Sequence, residues 1–205
     1  MQRKNTLTVN LNAIKPHLQF IILAIFFIIG IVIGSLFVGR FESLVAFFED
    51  KVVSFYEIRK SFNFLTVFSN SLLNAMPYYL VVFLCGTSII GCAVTPIVLI
   101  LKGFFFGAFS GYMYFTYRLD GIMFNALLLI PTGVVCAFGL LLLAKESFSF
   151  SYLLSSICIK SGKTANIYSN FKTYCIKGLI CSIFAVIAVF IDIGLSALFT
   201  GFFDF

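Results

Sequence analysis

The sequence has little charge, a single histidine and no tryptophan. Charged residues make up 11% of the 205, whereas soluble globular proteins carry about 25%, so a water-exposed globular fold is excluded. His17 is the sole histidine, which excludes every catalytic or metal site that requires two. The six cysteines include no CxxC pair, which favours buried thiols over a zinc site or a disulfide framework. Instead, 61% of the residues are hydrophobic and 28 are phenylalanine.

The formal net charge of +6 is not that of a nucleic-acid-binding protein. Lysine and arginine are scattered between apolar runs and form no basic stripe, so they predict membrane orientation rather than phosphate binding. With the amino terminus in the cytoplasm, nine of the 14 Lys and Arg lie on the cytoplasmic side. The sequence therefore predicts a multi-pass membrane protein, with the amino terminus cytoplasmic and the carboxyl terminus extracytoplasmic.

Apolar runs recur along the whole chain without a long polar linker. A membrane-spanning helix needs about 20 apolar residues, and the sequence predicts a single all-α membrane domain, residues 1–205, built as a polytopic helical bundle. Prolines 77, 96 and 131 interrupt these runs and predict kinks, with a break near Thr95. A sixth span results if the longest run is divided. The predicted spans are residues 18–38, 72–101, 103–119, 122–144 and 178–199.

Two segments between the spans have a different composition. Residues 41–68 have a helical period of apolar residues with acidic residues on the other side, which predicts an extracytoplasmic amphipathic helix, either in the membrane interface or packed on the bundle. Its apolar face is either a packing arm or a docking surface for a partner, with Phe41, Phe48, Phe55 and Tyr56 as the docking candidates. Residues 145–177 form the predicted basic cytoplasmic loop, in which residues 147–159 have the composition of a short interfacial helix.

Glycines spaced four apart mark the third predicted span. Gly103, Gly107 and Gly111 fall on one stripe of a helix, where a second backbone can approach closely. We expect this stripe to pack on the helix of residues 72–101 or on that of residues 178–199. Gly86 and Gly91 are further candidates for helix packing.

Three polar residues lie inside or beside apolar runs, and each needs a partner. Asp192 is the one ionisable residue deep in a span, where a charge costs about 2.5 to 3.5 kcal/mol. We expect Asp192 to belong to a structural buried pair. Lys102, at the predicted cytoplasmic turn before the third span, could reach it, as could a Tyr or Ser of the glycine helix, while a proton or ion relay and a neutral carboxylic acid remain open. Asn125 should hydrogen-bond across helices. Catalytic motifs are lacking in the sequence, so we predict no enzyme activity, no cofactor and no metal.

One ordered set of residues matches a known family pattern: NSLLN at 70–74, LCGTSIIG at 84–91, Pro96, Lys102-Gly103-Phe104, Gly107, Gly111, Asp120-Gly121 and Pro131. This set, which covers about residues 65 to 150, resembles the stage II sporulation protein M family of bacterial membrane proteins and implies a place in the bacterial cell membrane. The first span and the basic loop have the size and place expected. The chain departs from the family pattern after Pro131, where Thr132 and Gly133 replace polar amides.

This resemblance implies a membrane protein without catalysis of its own. The family's founding member is a scaffold that gathers two cell-wall hydrolases, stage II sporulation proteins D and P, at the septum. Peptidoglycan is remodelled there for engulfment during sporulation. The implied partners are membrane lipid, such hydrolases or other membrane proteins, and a second copy of the chain. The alternative from another class is a small transporter or permease subunit that uses the broken second helix and Asp192.

Overall fold

The computed structural model describes residues 5–38, 40, 42–60, 63–159 and 167–199. Within these ranges the chain is helical throughout apart from short turns, and it contains no strand. The predicted all-α class is therefore confirmed. A π-helical segment, Asn125–Leu129, joins the fourth and fifth helices. The helices are α1 (Asn5–Val38), α2 (Glu42–Lys60), α3 (Phe64–Gly86), α4 (Gly91–Phe124), α5 (Ile130–Ile159) and α6 (Ile167–Phe199).

Five apolar limbs in the described residues are long enough to cross a membrane. Four continuous stretches qualify by length and hydropathy, and the third of them, Gly91–Cys158, is 68 residues long. Arg118 has φ 48° and ψ −116°, and this non-helical conformation reverses the chain within that stretch. Cys92 N–H accordingly donates to Ser151 Oγ at 3.0 Å on the returning limb. The third stretch is therefore a hairpin of two antiparallel limbs. The four stretches are His17–Val38, Phe64–Gly86, Gly91–Cys158 and Ile167–Phe199.

The five limbs alternate in direction. Turns at residues 87–90 and at Arg118 reverse the chain at the two ends of the first limb of α4, residues 91–117. In α6, Tyr174 stacks on Phe150 of α5, and the main chain at Cys181 lies beside Gly139 of α5, so these two helices are antiparallel. The start of α1 and the end of α6 consequently lie at opposite ends of the bundle.

The glycine stripe of α4 packs on α1, and not on the helices that the sequence suggested. A Cβ at Gly103 or Gly107 would collide with the carbonyl oxygens of Phe27 and Ile31, and one at Gly111 would lie 3.1 Å from the main chain of Ser35. The partner numbers rise together, so α1 and α4 are parallel. Helix α1 contributes glycines to the same contact, since Gly30 and Gly34 lie against the main chain of α4 at residues 100 and 104. Small residues on both helices permit this close contact.

The break in the long run of residues 72–101 lies earlier than predicted. Helix α3 ends at Gly86, the turn occupies residues 87–90, and α4 continues without interruption through Thr95 and Pro96. Proline near the start of a helix removes only one backbone hydrogen bond, whereas the turn is fastened by side chains: Ser151 Oγ donates to Ser88 O at 2.6 Å. Lys102 therefore lies inside α4, and not at a cytoplasmic turn. Gly86 packs against Ser147 and Tyr174, and Gly91 against the main chain of Cys85.

Prolines 77 and 131 also lie within continuous helical structure. Pro77 lies inside α3. Pro131 follows the π-helical segment, and its missing N–H explains why the regular hydrogen-bond ladder is interrupted there.

The polar segments are shorter than the sequence suggested. Helix α5 extends to Ile159 and α6 begins at Ile167, so most of residues 145–177, predicted as a loop, is helical. Ser147 and Ser151 are fully buried. Ser147 donates to the carbonyl of Val82 in α3 and Ser151 to the carbonyl of Ser88 in the α3–α4 turn, which explains why α5 continues past its apolar run. The described part of residues 41–68 forms α2 and the start of α3, and α2 packs on α4 through Phe48, Val52 and Tyr56.

Candidate functional site

A buried arginine on α2 forms the centre of the candidate site. The buried residues of α2 are Phe48, Val52, Tyr56 and Arg59, spaced three or four apart and therefore on one helical face. The first three pack against α4 and the π-helical segment. The fourth position of this stripe carries a guanidinium group that is consequently held inside the bundle.

Arg59 is paired with Asp192, the deep carboxylate of α6. The Arg59 Nη2 and Asp192 Oδ2 atoms form a salt bridge, and Arg59 Nε lies 3.4 Å from Asp192 Oδ1. The side chains are only 2% and 3% exposed. Ser71 on α3 donates its hydroxyl to Asp192 Oδ2 and lies 3.3 Å from Arg59 Nη2. Three helices are therefore joined by one polar cluster, the Arg59–Asp192–Ser71 cluster.

Further contacts satisfy the guanidinium group. Arg59 Nη1 donates to the carbonyl of Phe55 at 3.1 Å, and the guanidinium carbon lies 3.2 Å from the centroid of the Phe55 ring. Burial lowers the pKa of Arg59 from its ordinary value, and the charge of Asp192 counters that shift. An arginine side chain keeps its proton in proteins, so Arg59 is charged and the pair is ionic.

Lys102 lies beside this cluster but is not the partner of Asp192. Its ammonium group donates to the carbonyl of Asn74 at 3.4 Å and lies 4.4 Å from the centroid of the Tyr78 ring. The sequence-based pairing with Asp192 is therefore wrong, because Arg59 occupies the carboxylate. Among the described residues, no carboxylate oxygen lies within 4 Å of the Lys102 ammonium group.

Two adjoining cavities surround Lys102. The inner cavity has a volume of about 130 Å³ and is lined by the Arg59–Asp192–Ser71 cluster together with Thr132 and Cys136. The outer cavity, of about 330 Å³, lies between α2, α3 and α4. Asn74, Lys102 and three apolar side chains line both cavities.

The remaining intramembrane polar residue, Asn125, has partners across the hairpin. Its amide nitrogen donates to the hydroxyl of Tyr114, and its Oδ1 lies 3.4 Å from Ser110 Oγ. It lies in the π-helical segment, 1% exposed, and fastens the two limbs of the hairpin to each other.

The residues predicted to dock a partner do not form an open surface. Phe48 and Tyr56 are 3% and 6% exposed, and Phe55 stacks edge-on against Phe109. Phe41 lies outside the described residues. The apolar stripe of α2 is buried against α4 of the same chain and is not available to a partner. The docking prediction is therefore wrong for Phe48 and Tyr56.

The sequence contained a signal for Arg59 that composition alone obscured. Arg59 follows Tyr56 by three residues and so continues the apolar stripe of α2. A charge at a stripe position predicts a buried partner of opposite sign, and Asp192 is the one carboxylate deep in a span. Ser71 carries no comparable signal.

The described residues contain no group of three or more His, Cys, Asp and Glu side chains that could hold a metal ion. The geometry of the site instead supports two roles, tying α2, α3 and α6 together and presenting cationic and amide groups to a cavity.

A family model described as Stage II sporulation protein M matches residues 23–196. No curated protein and no solved structure matches the chain significantly.

Proposed function

Because the chain belongs to the stage II sporulation protein M family, we propose that this membrane protein is a non-catalytic scaffold for cell-wall hydrolases. The proposed place of action is the septal membrane of a sporulating bacterium during engulfment. In the proposed orientation, the amino terminus is cytoplasmic and α2 lies on the extracytoplasmic side, where the hydrolases work.

The observation that carries this proposal is the closed Arg59–Asp192–Ser71 cluster. A carboxylate that relays protons or ions must exchange partners, whereas Asp192 is held by a permanent cation and a hydroxyl. A closed buried pair favours a structural role for the carboxylate. Such a clamp keeps α2 fixed on the bundle, as a docking platform requires.

The exposed side of α2 replaces its buried stripe as the proposed partner surface. Glu49, Asp50 and Glu57 are all exposed there. Among the described side chains of α2, these three acids outnumber the exposed Lys51 and Lys60. A net negative surface steers a partner of opposite charge, so the proposed hydrolase surface is basic.

Affinity purification of the tagged full-length protein from membranes of the host tests this proposal. Cell-wall hydrolases should co-purify with wild type and be depleted with the triple variant Glu49→Gln, Asp50→Asn, Glu57→Gln. Lys172→Gln, an exposed change on α6, is the matched control and should leave recovery unchanged. Absence of any hydrolase, with the protein intact and abundant, contradicts the scaffold proposal.

A second candidate function, a small transporter or permease subunit, draws on the two adjoining cavities. A path for polar solutes requires several polar groups at depth, and Asn74 and Lys102 line both cavities. If the cavities conduct a solute, the double variant Arg59→Met, Asp192→Asn should lose function at normal abundance. A scaffold should still recruit its partners.

A further inference from the structure

The outer cavity has an unbalanced charge. Its charged lining residues are Lys51 and Lys102, and no acidic side chain lines it. In the inner cavity the charge of Asp192 is already matched by Arg59. Two cations therefore face a shared space with no carboxylate assigned to them in the described part of the chain.

Lys102 lies at membrane depth. It follows Gly91, the first residue of α4, by eleven positions, which at about 1.5 Å per residue places it about 16 Å along the helix. Half of a hydrocarbon core is about 15 Å thick. A charge near that depth is costly unless it is paired, and a carbonyl and an aromatic ring supply no opposite charge. An anion in the cavity would supply it.

The other polar groups of the cavity suit an anion with several oxygen atoms. Ser54, Asn70, Asn74 and Tyr78 line the same space, and their hydroxyl and amide groups can donate hydrogen bonds. Ligand pockets typically begin at about 300 Å³, so a volume of about 330 Å³ exceeds what one monatomic ion needs. A phosphate group fits this set of donors and cations.

The rim of the cavity favours a ligand that also carries an apolar chain. Phe47 and Phe105 line it and are 49% and 41% exposed. Phe105 belongs to α4, which is part of a stretch long and apolar enough to cross a membrane, so a ligand that leaves the cavity along these exposed rings would enter the acyl-chain region. A soluble anion would gain nothing from such a rim.

We propose that the outer cavity binds the phosphate headgroup of an anionic lipid, with Lys102 as the deep cationic contact, Lys51 as the outer one and the acyl chains against Phe47 and Phe105. Binding at this position would bridge α2, α3 and α4 beside the Arg59–Asp192–Ser71 cluster. The proposal does not depend on hydrolase recruitment.

Native mass spectrometry of the full-length protein in detergent micelles tests this inference by counting bound lipids. Dioleoyl phosphatidic acid should bind one molecule per chain, more tightly than dioleoyl phosphatidylcholine. Lys102→Met should weaken phosphatidic acid binding at least tenfold, Lys51→Met should weaken it less, and Lys102→Arg should restore it. Lys172→Gln, remote on α6, should bind as wild type does.

Equal binding by wild type and both methionine variants overturns the proposal. So does phosphatidylcholine binding as tightly as phosphatidic acid, because the phosphate charge would then be irrelevant. Competition with inorganic phosphate, which has no acyl chain, tests the contribution of the lipid tail. If phosphate displaces phosphatidic acid at equal concentration, the cavity binds a free anion and the lipid assignment is wrong.

Discussion

Removing one member of the Arg59–Asp192 pair should destabilise the protein far more than removing both. Arg59→Met leaves the Asp192 carboxylate without its cation among buried side chains. Asp192→Asn keeps an oxygen that can accept the Ser71 hydroxyl, yet leaves the guanidinium unpaired. The double variant removes both charges and keeps side chains of similar size.

The expected magnitudes follow from the burial of the pair. Both side chains are about 97 to 98% removed from solvent, and breaking such a pair from one side costs about 3 to 5 kcal/mol. Replacing both partners with uncharged groups is often close to neutral. We therefore expect each single variant to lose about 3 kcal/mol or more. The double variant should lie within about 2 kcal/mol of wild type, which gives a coupling energy of at least about 4 kcal/mol when set against two single losses of about 3 kcal/mol each.

Equilibrium unfolding in mixed micelles, followed by far-ultraviolet circular dichroism, measures the four free energies of the cycle. The matched control is Glu146→Gln with Lys177→Met, which removes a bridge of 2.8 Å whose side chains are 22% and 48% exposed. Its coupling energy should stay below about 1 kcal/mol. Additive losses at Arg59 and Asp192, or single losses under about 1 kcal/mol, would refute the assignment of a buried ionic pair.

Two further predictions concern packing and hydrogen bonding. Gly107→Leu should greatly reduce the abundance and thermal stability of the purified protein, because any Cβ there collides with the main chain of α1, whereas Gly194→Leu, with nothing within 4 Å, should be tolerated. Equal stability of the two variants would contradict the α1–α4 contact. Tyr79→Phe should cost about 1 kcal/mol in the same unfolding assay, because its hydroxyl donates to Cys136 O at 2.7 Å. Tyr168→Phe, 79% exposed, should cost nothing measurable, and parity between the two would refute the buried bond.

The sequence was sufficient for the fold class because hydropathy and length act locally. A run such as residues 18–38 must be satisfied by its own backbone in lipid, and a helix achieves this whatever its neighbours do. The reversal at Arg118 was marked by polar residues and Gly121. The break at residues 87–90 was predicted too late in the chain, because Pro96 is a strong sequence signal for a helix interruption. The serine hydroxyl of α5 that holds the actual turn lies far away in sequence and gives no such signal.

Pairings between helices could not be obtained in the same way. The stripe of Gly103, Gly107 and Gly111 shows that some backbone comes close, yet any apolar helix satisfies that condition. Gly30 and Gly34 on α1 supply the matching register only once the two helices are side by side. The partner of Asp192 was assigned wrongly because Lys102 begins an apolar run, while Arg59 is surrounded by charged residues that made α2 look interfacial.

The Arg59–Asp192 contact also sets an order of events during synthesis. Arg59 precedes Asp192 by 133 residues, so the guanidinium is synthesised long before the carboxylate of the final helix exists. Until α6 is inserted, the Arg59 cation of α2 has no buried counter-charge. Burying it would be costly, so α2 should remain exposed to water. Helix α2 therefore packs on the bundle only after α6 has been inserted. A chain truncated before α6 should expose α2 and be readily cleaved by membrane proteases.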